Sequence, residues 1–350
     1  MMREEVTPKK KSNGLTGLAN LGNTCFVNSM LQCLLHTYEL NNLLDNKQLW
    51  QKKIKKKPES LIFLEWNELR KMMWSEDCTI SPAGFIQAVQ KVANAKNQDI
   101  FTGFAQNDFT EFLHFCVSCF HSSLEREVNM EISGAIKNKT DKTAKICYDM
   151  MSNMYKKEYS EILQIFYGIH VSQTKSLENN YKNISPEPFF DLSLEMEGCN
   201  NLVECIDKYT SVEKLTGDNK LYNDKSKKYE EGEKRIQFFD LPDVLVITLK
   251  RFKNNNRKDQ KMVDFPLEGL NFKKYMIGYD KSKYIYDLYG IANHSGNVLG
   301  GHYTSFVKIK NNDWYLFNDT EIRKVNNIDK IKTPKAYCFF YRKRKTNNHN

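Results

Sequence analysis

A cysteine lies where a loop rich in glycine and asparagine becomes an apolar run, in the stretch GLANLGNTCFVNSMLQCLLHTYEL at residues 17 to 40. The apolar spacing predicts an amphipathic helix that begins at or just after Thr24, which is an acceptable N-cap. Cys25 would then stand at a helix N-terminus, which lowers the pKa of a thiol and offers free N–H groups to an oxyanion. The alternative is a small buried hydrophobic residue, and this segment alone does not decide between the two.

A cysteine nucleophile needs a base from elsewhere in the chain, and seven histidines are available. His302 follows two glycines and opens the apparent strand HYTSFVKI, so it would project from a strand end that another backbone can approach. His294 is the competitor and lies in or beside the preceding loop. A lone histidine near a strand is usually structural, so the interpretation depends on a third group.

The third group is offered by WYLFNDT, an apparent strand that ends in Asn318 and Asp319. Either side chain could accept a hydrogen bond from an imidazole and fix its tautomer, as the third member of a catalytic triad does. Adjacent antiparallel strands would bring His302 and Asn318 side by side. The residue types therefore indicate catalysis by a thiol nucleophile.

The stretch HFCVSCFH, residues 114 to 121, has the residue types of a zinc site but not the geometry. At about 100° per residue, a helix places Cys116 and Cys119 on one side and His114 and His121 nearly opposite. The four cannot surround one ion, so the cysteines are interpreted as core residues.

The same helical stretch carries Asp108 and Glu111, three residues apart on one polar face. A solvated face is the simplest interpretation, whereas a paired acidic patch near the site would suit a basic peptide.

The elements that must position these residues follow an α+β order. Spacing from Thr24 to about residue 130 is mostly helical, and residues from about 160 to 240 mix a strand pattern with turns and polar loops such as YNDKSKKYEEGEK. The last third contains short runs of β-branched and aromatic residues. Residues 1–13 are predicted to be a mobile leader and residues 346–350 a tail, around a single domain at 14–345.

Composition favours a soluble intracellular protein, cytoplasmic or nuclear. Nine cysteines form an odd set without a disulfide framework, and the chain shows no apolar signal core. No window approaches the 18 or so apolar residues of a membrane span. The net charge of +9 falls into separate runs such as KKIKKKP, which solvated loops explain, so nucleic acid is disfavoured as a partner.

Taken together, the motifs resemble those of the ubiquitin-specific proteases, papain-like cysteine peptidases that remove ubiquitin. GLANLGNTCFVNSMLQCL is similar to the family's cysteine box, and HSGNVLGGHYTSFVK with WYLFNDTEI is similar to its histidine box. FTGFAQNDFTEFL is similar to its glutamine-aspartate motif, and PFFDLSL, LVITLKRF and VDFPLEGLNF are similar to its palm and finger strands. The similarity runs from about residue 14 to 343 with the order kept.

The resemblance implies a papain-like α+β fold with a helical thumb and antiparallel palm and fingers. The implied boundaries are about 14–155 for the thumb, 156–240 for the fingers and part of the palm, and 241–345 for the palm.

The resemblance also assigns roles to site residues. Cys25 would be the nucleophile and His302 the base, with Asn318 as the third triad member and Asp319 as an assisting neighbour. Asn20 matches the family's oxyanion side chain. The residues implied to bind the ubiquitin tail, under a loop at about 294–301, are Asp108, Glu111, Gly300, Gly301 and Tyr303.

Two departures from the family pattern are visible. Family members commonly carry two Cys-x-x-Cys pairs at the tip of the fingers, whereas HVSQTKSL at 170–177 and LYNDKSKK at 221–228 contain no cysteine. Cys199 and Cys205 lack partners at suitable spacing, so the finger zinc site is expected to be lost and no cofactor is expected. Asn107 stands where the motif more often has glutamine or histidine.

The implied function is that of a thiol-dependent deubiquitinase with ubiquitin, polyubiquitin chains and ubiquitinated proteins as partners. A catalytically silent ubiquitin-binding scaffold and a protease for another ubiquitin-like modifier remain open as alternatives.

Overall fold

The computed structural model describes residues 13–103, 105–252, 257–297 and 300–345. The predicted tail and all but the last residue of the predicted leader lie outside these ranges. Helices dominate the first half of the described chain and strands the second, which is the order that the sequence patterns predict.

The helices form where apolar side chains recur on one face. Those faces belong largely to one hydrophobic cluster. The α-helices of the described residues are α1 (Cys25–Leu35), α2 (Tyr38–Asp45), α3 (Lys47–Trp50), α4 (Glu59–Ser75), α5 (Ala83–Ala95), α6 (Phe109–Leu124), α7 (Lys139–Tyr155), α8 (Glu161–Phe166) and α9 (Leu202–Tyr209).

The strands form two larger sheets and two short pairs. Their bounds are β1 (Gly17–Leu18), β2 (Thr79–Ile80), β3 (Gly168–Ser176), β4 (Lys182–Phe189), β5 (Asp191–Leu194), β6 (Glu213–Leu215), β7 (Leu221–Asn223), β8 (Lys228–Glu230), β9 (Gly232–Asp240), β10 (Val244–Leu249), β11 (Leu270–Asn271), β12 (Ile285–Asn297), β13 (Gly300–Lys308), β14 (Trp314–Asn318), β15 (Glu321–Lys324) and β16 (Ala336–Lys343).

The main sheet has the order β15-β14-β13-β12-β16-β10-β5, with β11 added beside β12. Its neighbours are antiparallel except for β10 and β5, which run parallel. The second sheet has the order β4-β3-β9-β6. β7 and β8 pair with each other, and we call them, with the turn at 224–227, the tip hairpin.

The main sheet separates two hydrophobic clusters. On β16, Phe340 belongs to the cluster that includes α1 and α6, whereas its neighbour Phe339 belongs to the cluster on the opposite face. This alternation is what the two-residue period of a strand requires. The face that packs against α1 is therefore the face that can meet Cys25.

One sequence prediction about the segment at residues 222–234 is wrong. YNDKSKKYEEGEK was interpreted as turns and polar loops, but it contains β8, part of β7 and the start of β9. Asn223 and Ser226 donate to the Glu230 carboxylate, and these bonds order the segment without an apolar pattern. The subdomain boundaries at residues 155 and 240 stay a prediction.

Within the described residues, no helix has the length and apolar character needed to cross a bilayer.

Arg342 of β16 joins the helical layer to the main sheet. Its guanidinium stacks on the rings of Tyr38 and Tyr289, at 4.5 and 4.2 Å from their centroids. It also donates to the Glu39 carboxylate at 2.6 and 3.1 Å and to the carbonyl oxygen of His36 at 2.8 Å. A planar, forked cation is needed to make all of these contacts at once.

We expect Arg342→Lys to lower the free energy of unfolding by about 1.5 to 3 kcal/mol, because a lysine cannot keep the forked bonds to Glu39 and the stacking. The matched control is Arg344→Lys just after the same strand, whose pair with Asp287 is more exposed and is worth at most about 1 kcal/mol. Chemical denaturation measures both variants. Equal losses would contradict the special role of Arg342.

Candidate active site

Cys25 is the first residue of α1 and is almost completely buried. The loop before it turns through Gly22 and Asn23, which have positive φ values of 99° and 55°. Thr24 occupies the N-cap position, but its hydroxyl accepts the N–H of Leu21 at 2.9 Å and does not cap the helix. The first turn of α1 therefore keeps N–H groups without a side-chain acceptor from Thr24.

Burial raises the pKa of the Cys25 thiol above its ordinary value. The Tyr303 N–H, which donates to Sγ at 3.5 Å, opposes this increase, and the negative charge of Asp319 adds to it. The predicted lowering of the thiol pKa is therefore wrong for the free protein. The helix terminus does favour the thiolate, but the loss of solvation has the larger effect.

The structure brings His302 and Asn318 together at 2.6 Å, between Nε2 and Oδ1. Their strands, β13 and β14, are antiparallel neighbours, as the sequence predicts. An amide oxygen can only accept, so Nε2 carries the proton and Nδ1 is left to take one. Tyr303, which contacts the Cys25 sulfur through its backbone, follows His302 directly, and this places the histidine backbone beside the thiol.

His294, which the sequence placed in or beside the loop, lies in β12, where it pairs with Tyr303. The two rings lie with their centroids 4.7 Å apart, and Lys258 donates to the His294 carbonyl oxygen. Burial lowers the pKa of His294 to about 4, helped by the charge of Lys258. The imidazole is therefore neutral at physiological pH and packed as a core side chain.

Asp319 forms its hydrogen bonds with the cysteine loop. Oδ2 accepts from Asn20 Nδ2 at 2.9 Å, and Oδ1 accepts from Asn28 Nδ2 at 2.8 Å. Its carbonyl oxygen accepts the N–H of Leu18 at 2.9 Å, and its φ of 52° turns the chain at the end of β14. Asp319 thus connects the end of β14 to the loop that carries Cys25.

The amide of Asn20 is held from both ends. Oδ1 accepts the N–H groups of Gly22 and Thr24, each at 3.1 Å, while Nδ2 donates to Asp319. Because these contacts distinguish the oxygen from the nitrogen, they fix the orientation of the side chain. An amide nitrogen carries two hydrogens, so one remains beyond the bond to Asp319.

Asp108 lies ahead of α6 as its N-cap, not on the helix face that the sequence pattern suggested. Oδ1 accepts the N–H groups of Thr110 and Glu111, as a capping aspartate does. Oδ2 accepts from Tyr337 at 2.6 Å and lies 3.5 Å from the hydroxyl of Tyr303. Glu111 follows in the first turn and is exposed.

Gln106 bridges the cleft between the loop before α6 and β13. Its amide donates to the carbonyl oxygen of Gly301 and accepts the N–H of the same residue, both at 2.8 Å. A Cβ at Gly301 would lie 2.2 Å from His294 Nε2, so only glycine fits there. A loop was predicted at 294–301, but β12 extends to residue 297 and β13 begins at residue 300. Residues 298 and 299 lie outside the described residues.

The HFCVSCFH stretch at residues 114–121 lies within α6, as the sequence predicts. Cys116 and Cys119 are buried in the core. His121 instead lies near Glu125 and Glu158, with one potential donor atom of each within 4.8 Å of the others. Lys57 donates to Glu125, so an ammonium already balances that carboxylate.

Sequence reasoning missed three residues that shape the site. Asn28 is buried and supports Asp319, Gln106 closes the cleft, and Tyr337 holds Asp108. Two signals were available: Asn28 is a polar residue in an otherwise apolar helical run, and Gln106 belongs to the FTGFAQNDFTEFL motif, although it was given no role. The partners of Gln106 and Tyr337 lie 195 and 229 residues away, so a local pattern could not predict their contacts.

A family model described as "Ubiquitin carboxyl-terminal hydrolase" matches residues 16–341. The chain belongs to the ubiquitin carboxyl-terminal hydrolase family. Ubiquitin carboxyl-terminal hydrolase 2 of Bos taurus is 30% identical over 348 residues, which are 95% of this chain and 55% of that protein. Ubiquitin carboxyl-terminal hydrolase 8 of Saccharomyces cerevisiae is 28% identical over 368 residues, 98% of this chain and 73% of that protein.

The solved structures that resemble this chain include the SAGA Ubp8/Sgf11/Sus1/Sgf73 DUB module bound to ubiquitin aldehyde. Its TM-score is 0.74 at 27% identity, covering 97% of this chain and 72% of that chain. The predicted family and α+β fold class are confirmed. The chain spans about half the length of the bovine and human relatives.

We expect alkylation of Cys25 by iodoacetamide in the free protein to keep accelerating beyond about pH 8.5, because a raised pKa keeps the thiol protonated at lower pH. Cys78 is the one exposed cysteine of the described residues, so the experiment uses a Cys78→Ser background. Mass spectrometry of the Cys25 peptide measures the rate. A plateau below pH 7 would show a preformed thiolate and contradict the expectation.

Proposed function

We propose that this protein is a thiol-dependent deubiquitinase that hydrolyses the bond after the C-terminal glycine of ubiquitin. The observation that carries the proposal is the meeting of three distant residues. The Cys25 sulfur accepts the N–H next to His302, and His302 contacts Asn318. Membership of the ubiquitin carboxyl-terminal hydrolase family supports the proposal, as do the related modules solved with ubiquitin.

The proposed reaction begins with proton transfer from the Cys25 thiol to Nδ1 of His302, coupled to attack on the carbonyl carbon of the last glycine. Asn318 holds the imidazole in the tautomer that can accept this proton. Because the pKa of Cys25 is raised, we expect the thiol to pass its proton to His302 as it attacks and not beforehand. The tetrahedral oxyanion would be met by the Cys25 N–H and by the remaining hydrogen of Asn20 Nδ2.

Collapse of this intermediate expels the lysine amine, which takes its proton from His302, and leaves a thioester on Cys25. Water then gives a proton to the same histidine and attacks the thioester, releasing the ubiquitin carboxylate and restoring the thiol. These steps use the side chains of the site and water.

The proposal assigns the tail of ubiquitin to the cleft beside Asp108, Glu111 and Tyr303. The two carboxylates suit the arginines of that tail, with Glu111 the more accessible of the pair. The bridge from Gln106 to Gly301 leaves little space beside the backbone, which suits a substrate that ends in two glycines. Polyubiquitin chains and ubiquitinated proteins present the same tail and are the proposed substrates.

Ubiquitin with a C-terminal electrophile tests the proposal. We expect a covalent adduct with the wild-type protein and none with Cys25→Ala, measured by intact mass. The same electrophile on another ubiquitin-like modifier tests the alternative that the protein is a protease for such a modifier. We expect this adduct to form more slowly than the adduct with ubiquitin. Binding of ubiquitin without an adduct would support the silent scaffold and contradict the proposal.

Asp319→Ala separates the orientation of Asn20 from the intrinsic reactivity of the Cys25 thiol. We expect kcat/KM for a ubiquitin substrate to fall by about 10- to 100-fold, because Asn20 loses the partner that orients it. Iodoacetamide should meanwhile alkylate Cys25 faster at pH 7, because the carboxylate that raises the thiol pKa is gone. The control is Glu321→Gln, an exposed charge loss nearby. Parallel falls in hydrolysis and alkylation would contradict this division of roles.

A further inference from the structure

Glu230 is a nearly buried carboxylate at the end of the tip hairpin. Its residue surface is 4% exposed, yet it forms no ion pair with any cation of the described residues. A buried charge without a counter-ion is stable only when several hydrogen bonds replace its hydration. The groups around Glu230 must therefore supply those hydrogen bonds.

Four uncharged side chains donate to this carboxylate. Asn223 Nδ2 lies 2.9 Å from both oxygens, Ser226 Oγ lies 2.6 Å from Oε1, and Asn179 Nδ2 lies 2.8 Å from Oε2. Ser176 contributes a further side-chain hydrogen bond. Together they lower the pKa of Glu230 to about 2, so the group is ionised at neutral pH.

The donors come from two segments that are distant in the chain. Ser176 ends β3 and Asn179 lies in the loop to β4, whereas Asn223 and Ser226 belong to the tip hairpin. Backbone bonds reinforce the junction, since the N–H of Leu177 donates to the carbonyl oxygen of the residue after Glu230 at 2.9 Å. The carboxylate therefore joins the tip hairpin to the end of the second sheet.

Backbone packing at Gly232 also holds the two segments close. A Cβ at Gly232 would lie 2.8 Å from the carbonyl oxygen of Lys175 and 3.2 Å from the Cβ of Leu221. The tip hairpin thus approaches β3 as closely as the backbones allow.

The four donors around Glu230 do not fit the finger zinc site that members of the family commonly carry. Ser176 and Asn179 are three residues apart, and so are Asn223 and Ser226, which is the spacing of two Cys-x-x-Cys pairs. Zinc sites of this kind need thiolates or imidazoles, whereas these hydroxyl and amide groups direct hydrogens at a carboxylate. A cation at the same point would face those hydrogens and not lone pairs.

We infer that Glu230 is a metal-free anchor that fixes the tip hairpin to the second sheet. The anchor sets the position of Tyr222 and Tyr229, a ring pair with centroids 5.2 Å apart that is 43% and 70% exposed. A consequence for substrate affinity rests on the proposed function, since it requires ubiquitin to lie against the fingers.

Hydrogen exchange of the full chain tests the anchor directly. In Glu230→Gln an amide nitrogen replaces one carboxylate oxygen and directs its hydrogens at the donors on that side, so we expect exchange in residues 176–182 and 221–232 to accelerate by about tenfold or more. Exchange in α1 should not change. The control is Glu231→Gln, an exposed charge loss at the next position that should behave as wild type.

Ser226→Ala removes one donor and should give a smaller acceleration in the same segments, which covers the case that Glu230→Gln does not fold. Wild-type exchange rates in both variants would overturn the anchor. Elemental analysis and exchange with and without a chelator form a second test. Stoichiometric zinc that is lost from Ser226→Ala, or a chelator that accelerates exchange at the tip, would overturn the metal-free assignment.

Kinetics with ubiquitin bearing a C-terminal fluorophore test the consequence for substrate. We expect Glu230→Gln to raise KM about threefold or more with kcat within about twofold of wild type, because the chemistry at Cys25 is untouched. An unchanged KM despite faster exchange would overturn the link to substrate. A wild-type protein that does not cleave the substrate would contradict the proposed function, while exchange would still decide the anchor.

Discussion

The hydrogen bonds from Asn20 and Asn28 to the Asp319 carboxylate hold the two halves of the site together. They connect residues that are 299 and 291 positions apart in the chain. The packing of α1 against β13 brings the segments near one another, and the hydrogen bonds at Asp319 add directional contacts to it. The directional bonds at Asp319 determine where Cys25 lies relative to His302 and Asn318.

The same carboxylate has an electrostatic cost. Its negative charge adds to the burial that raises the pKa of Cys25, so the group that orients the Asn20 amide also disfavours the thiolate. A raised pKa lowers the fraction of Cys25 that is thiolate at a given pH. The arrangement limits unwanted alkylation and oxidation, because the thiolate is the reactive form.

Buried or half-buried charges hold other junctions of the fold, and each is stabilised differently. Arg342 has a carboxylate and two aromatic rings, whereas Glu230 has only neutral donors. Arg251 is fully buried and donates to the carbonyl oxygens of Ala336, Asp259 and Lys261. In every case several directional bonds replace the lost hydration, which is the condition for a charge to leave water.

Local patterns in the sequence were sufficient for the helical first half, the strand-rich last third and the fold class. They also pointed to Cys25, to His302 and to the pair Asn318 and Asp319, because a thiol, an imidazole and an orienting polar group are recognisable by residue type and by their places at element ends. The choice of Asn318 within that pair came from the family resemblance. The sequence could not predict properties that depend on the burial of a side chain or on partners that are distant in the chain. The raised pKa of Cys25, the capping position of Asp108, the strand position of His294 and the anchor at Glu230 were decided by tertiary structure, since solvation and hydrogen-bond partners exist only once segments far apart in the chain have met.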